Sequence, residues 1–260
     1  MQFPHIDPVF LRIGPLEFRW YGLMYILGFI ASYFILLRGA RRKGLSLTSD
    51  DIADIIFSLA LGVVLGGRLG YVVFYNASYY LAHPLKIFAV WEGGMSFHGG
   101  LIGVVVAGLY ASRKKGIGFT LLADLCALAA PVGLGLGRLG NFINGELYGR
   151  ATDVPWGMVF PGGGGVPRHP SQLYEAVLEG PVLFVILLLV GRRVQTTGVL
   201  LWTFIGGYGL FRFIVEFFRE PDTHLGLLLG PFSMGQFLSF PMFLLGLVMA
   251  IVTVRRGDAR

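Results

Sequence analysis

Seven stretches of this chain, at about residues 18–37, 53–75, 96–112, 120–140, 172–191, 198–217 and 234–254, are apolar for close to the length of a bilayer crossing. A helix rising ~1.5 Å per residue needs ~20 such residues to cover ~30 Å of hydrocarbon. Backbone in lipid must satisfy its own hydrogen bonds, which leaves helices or a closed barrel. The runs are continuous rather than alternating, so barrel strands are excluded. A chain that is 55% hydrophobic and 14% charged is neither a soluble globular domain nor disordered. The expected fold is an all-α polytopic membrane protein of about seven transmembrane helices, forming a single integral membrane domain over residues 1–260.

Charge sets the expected orientation. Arg38, Arg41, Arg42 and Lys43 follow the first run; Arg113, Lys114 and Lys115 follow the third. Arg192 and Arg193 follow the fifth, and Arg255, Arg256 and Arg260 the seventh. Basic residues collect in cytoplasmic loops, so the N-terminus is expected outside and the C-terminus inside. These clusters account for the net charge of +6, and no basic, aromatic-rich domain outside the membrane calls for nucleic acid as a partner. Outer loops 76–95 and 141–171 are expected to form a small head, the second rich in Pro and Gly and hence irregular. Residues 1–16 lack a basic start and an apolar core, so the first span is read as an uncleaved targeting signal. Cys126, the sole cysteine, excludes an intramolecular disulfide and reads as a buried, inert thiol.

Glycines recur every fourth residue at Gly62, Gly66 and Gly70, at Gly99 and Gly103, and at Gly133 and Gly137. That spacing lets membrane helices approach closely. Ala53-Asp54 precedes Arg68-Leu69-Gly70 as Ala123-Asp124 precedes Arg138-Leu139-Gly140, which reads either as a parallel duplication or as chance between two glycine-rich helices.

Polar residues at bilayer depth carry the functional signal, because a charge there costs ~3 kcal/mol or more and persists where it pairs or meets a ligand. Residues 137–150 place Arg138, Asn141, Asn144 and Glu146 at the end of one apolar run. Arg212 and Glu216 stand four apart on another, where they can pair with each other. His98 opens the third run ahead of Gly99 and Gly100, as a structural histidine or as one with an open ring. Tyr21 follows Trp20 at the start of the first run, where an interfacial aromatic belt is the plain account. Two guanidiniums on one side suit an anionic phospholipid, since their planar forks donate parallel hydrogen bonds to phosphate oxygens. The plainer alternative for Arg138 is a balance to a carboxylate such as Glu146. No His/carboxylate spacing suggests a metal, and no phosphate-binding loop suggests a nucleotide cofactor.

The run Gly137–Gly149, His98–Gly103, Tyr208–Asp222, Trp20–Tyr25 and Arg168–Glu175 together resemble the prolipoprotein diacylglyceryl transferases of bacterial inner membranes, in order and over nearly the whole chain. Some relatives carry a longer insertion between Phe160 and Arg168. The resemblance implies transfer of the diacylglyceryl group of phosphatidylglycerol to the lipobox cysteine of a prolipoprotein, forming a thioether and releasing glycerol 1-phosphate on the periplasmic side. The partners implied are phosphatidylglycerol and prolipoprotein signal peptides, and no cofactor. The nucleophile then belongs to the substrate. By the same resemblance His98 is the candidate base, Arg138 and Arg212 neutralise the leaving phosphate, and Asn141, Glu146 and Gly149 line the headgroup site. Glu216 orients Arg212, and Tyr21 lies near the lipid. The competing reading is a transporter or flippase for an anionic lipid or solute, to which intramembrane arginines and glycine-broken helices are equally suited.

Overall fold

A computed structural model describes residues 1–221, 227–229 and 232–258; Asp222 and Arg260, both invoked above, lie outside the described residues. They group into two compact units, 1–35 with 124–260 and 36–123.

The first unit opens with a hairpin, β1 (Val9–Ile13) and β2 (Leu16–Arg19), and continues into α1 (Trp20–Arg42), whose last residues belong to the second unit. It resumes in α5 (Phe119–Ile143) at Asp124. After segment 144–170 comes an apolar run, Ser171–Arg193, which is not one regular helix. It comprises α6 (Ser171–Val177), a wide π turn over Leu178–Val182, and α7 (Leu183–Arg193). Gly180 leaves helical geometry (φ −92°, ψ −109°) just before Pro181, which has no N–H to continue the ladder. A Cβ on Gly135 would lie 3.1 Å from the Gly180 Cα, so α5 meets the π turn backbone to backbone.

Two further helices complete this unit. The carboxylate of Asp124 accepts the N–H groups of Gly198 (2.6 Å) and Leu201 (2.8 Å), capping the start of α8 (Val199–Val215) with a buried negative charge. A short pairing of β3 (Leu227–Leu229) with β4 (Phe232–Ser233) leads into α9 (Met234–Asp258). Ser233 and Gln236 form a reciprocal cap: Gln236 Oε1 accepts the Ser233 N–H at 3.0 Å, and Ser233 Oγ accepts the Gln236 N–H at 3.4 Å. Helices α8 and α9 pack where a Cβ on Gly209 would reach within 2.6 Å of the Phe243 nitrogen.

The second unit is built on α2 (Ser49–Tyr75) and α4 (Phe97–Lys114). Thr48 and Asp51 cap α2 reciprocally, and Ser96 caps α4. Two of the three glycine rows meet: a Cβ on Gly66 would stand 2.7 Å from the Gly103 Cα, and one on Gly70 2.8 Å from the Gly99 Cα, whereas a Cβ on Gly133 or Gly137 would have no atom within 4 Å. Lys115 ties the ends together through Asp51 (2.6 Å) and Asp54 (2.7 Å), hydrogen bonds that raise its pKa above the ordinary lysine value. Between these helices lie α3 (Ala77–Ala82) and two 3-10 turns, Pro84–Phe88 and Val90–Glu92.

The chain is thus an all-α polytopic membrane protein. Among the described residues, five helical runs are long and apolar enough to cross a bilayer: Trp20–Arg42, Ser49–Tyr75, Phe119–Ile143, Ser171–Arg193 and Met234–Gly257. Val199–Val215 is a shorter apolar helix, and α4 is helical where the third run was expected.

Candidate active site

Arg138, near the end of α5, and Arg212, near the end of α8, are joined by a carboxylate that neither local sequence reveals. Arg138 Nε lies 2.9 Å from Glu175 Oε2, and Arg212 Nη1 donates to Glu175 Oε1. Arg212 Nη2 pairs with Glu216 Oε2 at 2.8 Å, the pairing foreseen from their spacing. Glu216 Oε1 accepts from Ser233 Oγ at 2.9 Å, so the network ends on the cap of α9. Gly235 admits this contact, because a Cβ there would stand 2.6–2.8 Å from the Glu216 carboxylate. Glu175, 1% exposed, is the hub.

The two arginines are held differently. Arg212 commits both terminal nitrogens to carboxylates. Glu175 takes Arg138 through Nε, the inner nitrogen, and that bond does not use the terminal pair. A guanidinium anchored in this way can still offer two parallel donors to a phosphate.

One turn beyond Arg138 the chain forms a polar knot. Glu146 Oε1 accepts from Asn141 Nδ2 (2.9 Å) and Asn144 Nδ2 (3.2 Å). Glu146 is therefore tied to the asparagines, and the carboxylate that pairs with Arg138 at 2.9 Å is that of Glu175. The next residue, Leu147, is the non-glycine among the described residues with a left-handed backbone (φ 58°). Two fully buried side chains clamp it: Gln172 Nε2 donates to the Glu146 carbonyl at 2.6 Å, and Ser171 Oγ to the Leu147 carbonyl at 3.3 Å. Backbone strain of this kind costs ~1–3 kcal/mol and persists where surroundings over-determine it.

Segment 148–170 beside this knot is held by short backbone pairings. Gly149 N–H donates to the His169 carbonyl (2.8 Å) and Arg150 N–H to that of Phe218 (2.9 Å). Gly149 is buried there, and a Cβ would stand 2.8 Å from His169 Cβ, so its missing side chain permits the strand crossing. Arg168 donates to the carbonyls of Gly163 (2.8 Å) and Gly149 (3.2 Å), pairs with Glu220 (2.9 Å), and lies over the Tyr148 ring. The Gly162–Gly165 run is thus a pinned turn, with Gly162, Gly164 and Gly165 at positive φ. Burial lowers the pKa of His169, whose Nδ1 is 3.1 Å from the Tyr174 hydroxyl.

The other expected residues divide between the units. Tyr21 packs on Gly140, where a Cβ would come within 2.7 Å of its ring, and its hydroxyl is 3.2 Å from that of Tyr25. His98 belongs to the second unit, exposed in the first turn of α4 with its ring edge-on to Phe97. Arg68, the echo of Arg138, is 3% exposed and donates to the carbonyls of Lys86, Ile87, Gly93 and Gly94. It clamps a loop. Sequence reasoning passed over Glu175 and Glu179 as site residues, although two carboxylates one helical turn apart in an apolar run were the available signal.

A family model described as prolipoprotein diacylglyceryl transferase matches residues 8–252. A protein of Geobacter sulfurreducens named phosphatidylglycerol–prolipoprotein diacylglyceryl transferase is 78% identical over 256 residues, covering 98% of each chain. Proteins of the same name from Bordetella avium and Vibrio vulnificus are 58% and 54% identical, over 99% of this chain and 98% and 95% of theirs.

Proposed function

The chain belongs to the prolipoprotein diacylglyceryl transferase family, and on that premise we propose that it moves the diacylglyceryl group of phosphatidylglycerol onto the lipobox cysteine of a prolipoprotein. A sulfur–carbon bond forms, the carbon–oxygen bond to phosphate breaks, and the thiol proton balances the released glycerol 1-phosphate. The observation that carries the reading is the inner-nitrogen anchoring of Arg138, which leaves its fork outside the Glu175 bond. Arg138 grips the lipid phosphate, and Arg212, oriented by Glu175 and Glu216, adds positive potential as charge develops on the leaving group. Asn141, Glu146 and the strained turn at Leu147 border the headgroup; Tyr21 flanks the lipid, and Gly149 keeps the head close. His98 is the base for the substrate thiol, whose ordinary pKa of ~8.5 leaves it mostly protonated at neutral pH.

The same reading places the protein in the bacterial inner membrane with seven spans, N-terminus outside, segments 76–95 and 141–171 on the periplasmic side, and the basic clusters in the cytoplasm. Reporter fusions after Lys43, Lys115 and Arg193 should all score cytoplasmic; one periplasmic score breaks this topology. The activity is tested with detergent-solubilised protein, phosphatidylglycerol labelled in its diacylglyceryl moiety, and a peptide bearing the lipobox cysteine. Labelled thioether peptide is the expected product. Movement of lipid between vesicle leaflets with no covalent product would refute the transferase reading.

A further inference from the structure

Glu179 is the carboxylate that the mechanism above does not use. It sits on the π turn, is 0% exposed, and neither of its oxygens has a hydrogen-bond partner among the described residues. Its Oε2 lies 3.8 Å from Arg138 Nε, beyond hydrogen-bond reach, on the same nitrogen that Glu175 holds at 2.9 Å. The groups facing it are Arg138 from α5, Glu175 one turn earlier on its own run, Tyr208 and Arg212 from α8, and Arg219 just beyond α8. Glu175 and Glu216 hold Arg138 and Arg212 in closer ion pairs, at 2.9 Å and 2.8 Å. A third carboxylate without hydrogen bonds is therefore the one for which ionisation is most costly. The kink at Gly180, the next residue, sets Glu179 against Arg138.

We propose that Glu179 is a positioning residue that must be uncharged for Arg138 to present its terminal nitrogens to the lipid phosphate. Ionised, Glu179 draws the guanidinium into the gap between two carboxylates and cancels its pull on an incoming anion. Neutral, it leaves Arg138 on Glu175 alone, the arrangement observed. The proposal rests on the transferase reading.

The test compares the pH dependence of thioether formation by the full-length wild type with that of Glu179→Gln and Glu179→Met, two uncharged replacements of similar size. Wild-type kcat/KM for phosphatidylglycerol should fall on the alkaline side by about tenfold per pH unit, through KM rather than kcat. Either variant that accumulates should lose that alkaline fall, staying within about twofold of its neutral-pH value. A flat wild-type profile, variant profiles that superimpose on the wild type, or inactive variants that still bind phosphatidylglycerol would overturn the proposal. So would failure of both variants to accumulate, since that would mean the charge is needed for folding. A wild type that forms no thioether at any pH refutes the transferase reading itself.

Discussion

Replacing Arg138 by lysine separates a two-pronged grip from a simple balance of charge. The guanidinium is anchored by Nε on Glu175 and keeps its terminal pair outside that bond. An ammonium keeps the charge, but satisfying Glu175 takes it out of line for two parallel bonds to a phosphate. Loss of one charge-assisted hydrogen bond costs about 1.5–3 kcal/mol. At ~1.4 kcal/mol per tenfold, kcat/KM should fall roughly 10- to 150-fold, with the fold preserved by the remaining Glu175 pair. Arg212→Lys should behave otherwise. Both of its terminal nitrogens hold carboxylates, so lysine breaks one of two buried pairs and stability falls by about 3–5 kcal/mol. The assay is turnover per folded enzyme, with phosphatidylglycerol affinity and thermal unfolding measured in the same detergent. Near-normal turnover in Arg138→Lys would refute the two-pronged grip and leave Arg138 as a structural counter-charge to Glu175.

Gly235→Ala forces a Cβ against the Glu216 carboxylate and should cost about 1–3 kcal/mol, with lower activity; unchanged thermal unfolding would count against the contact. Arg68→Ala removes four backbone anchors from segment 86–94, so limited proteolysis should cut that segment first while wild type resists. Cys126→Ser should retain most transfer, because the reacting sulfur is the substrate's; loss of activity at normal abundance would indicate an enzyme-bound intermediate. The lowered pKa of His169 means that the unfolded chain takes up a proton before the folded one does. Stability should therefore be complete above the ordinary histidine value of ~6.5 and decline as pH falls from there to the lower folded value. His169→Gln should flatten that decline in a thermal-unfolding series across pH.

Local features of this fold were legible in the sequence because their causes are local. Apolar length marked the helices, two of the three glycine rows marked faces of close approach, and the spacing of Arg212 and Glu216 foretold their pairing. Glu175 was not legible as a hub: its partners are brought to it from α5 and α8 by tertiary packing, and an apolar run masks its charge. Arg68 and Arg138 share the same local sequence but not the same fate. One is encircled by carbonyls of a returning loop, the other meets a carboxylate, and only the fold distinguishes these surroundings. The capping residues were local signals too, but what Ser233 caps matters through Glu216, a contact made by the chain doubling back.

That doubling back bears on how the protein is made. Synthesis delivers α9 last, yet the serine that receives Glu216 stands at its start. Until α9 has entered the membrane, Glu216 lacks that hydrogen bond, and the orientation of Arg212 through Glu216 is left incomplete. A nascent chain carrying both arginines thus still lacks one of the contacts that fix Arg212 until α9 has been made. Shortening the protein ahead of α9 should abolish activity although that helix supplies no reacting group.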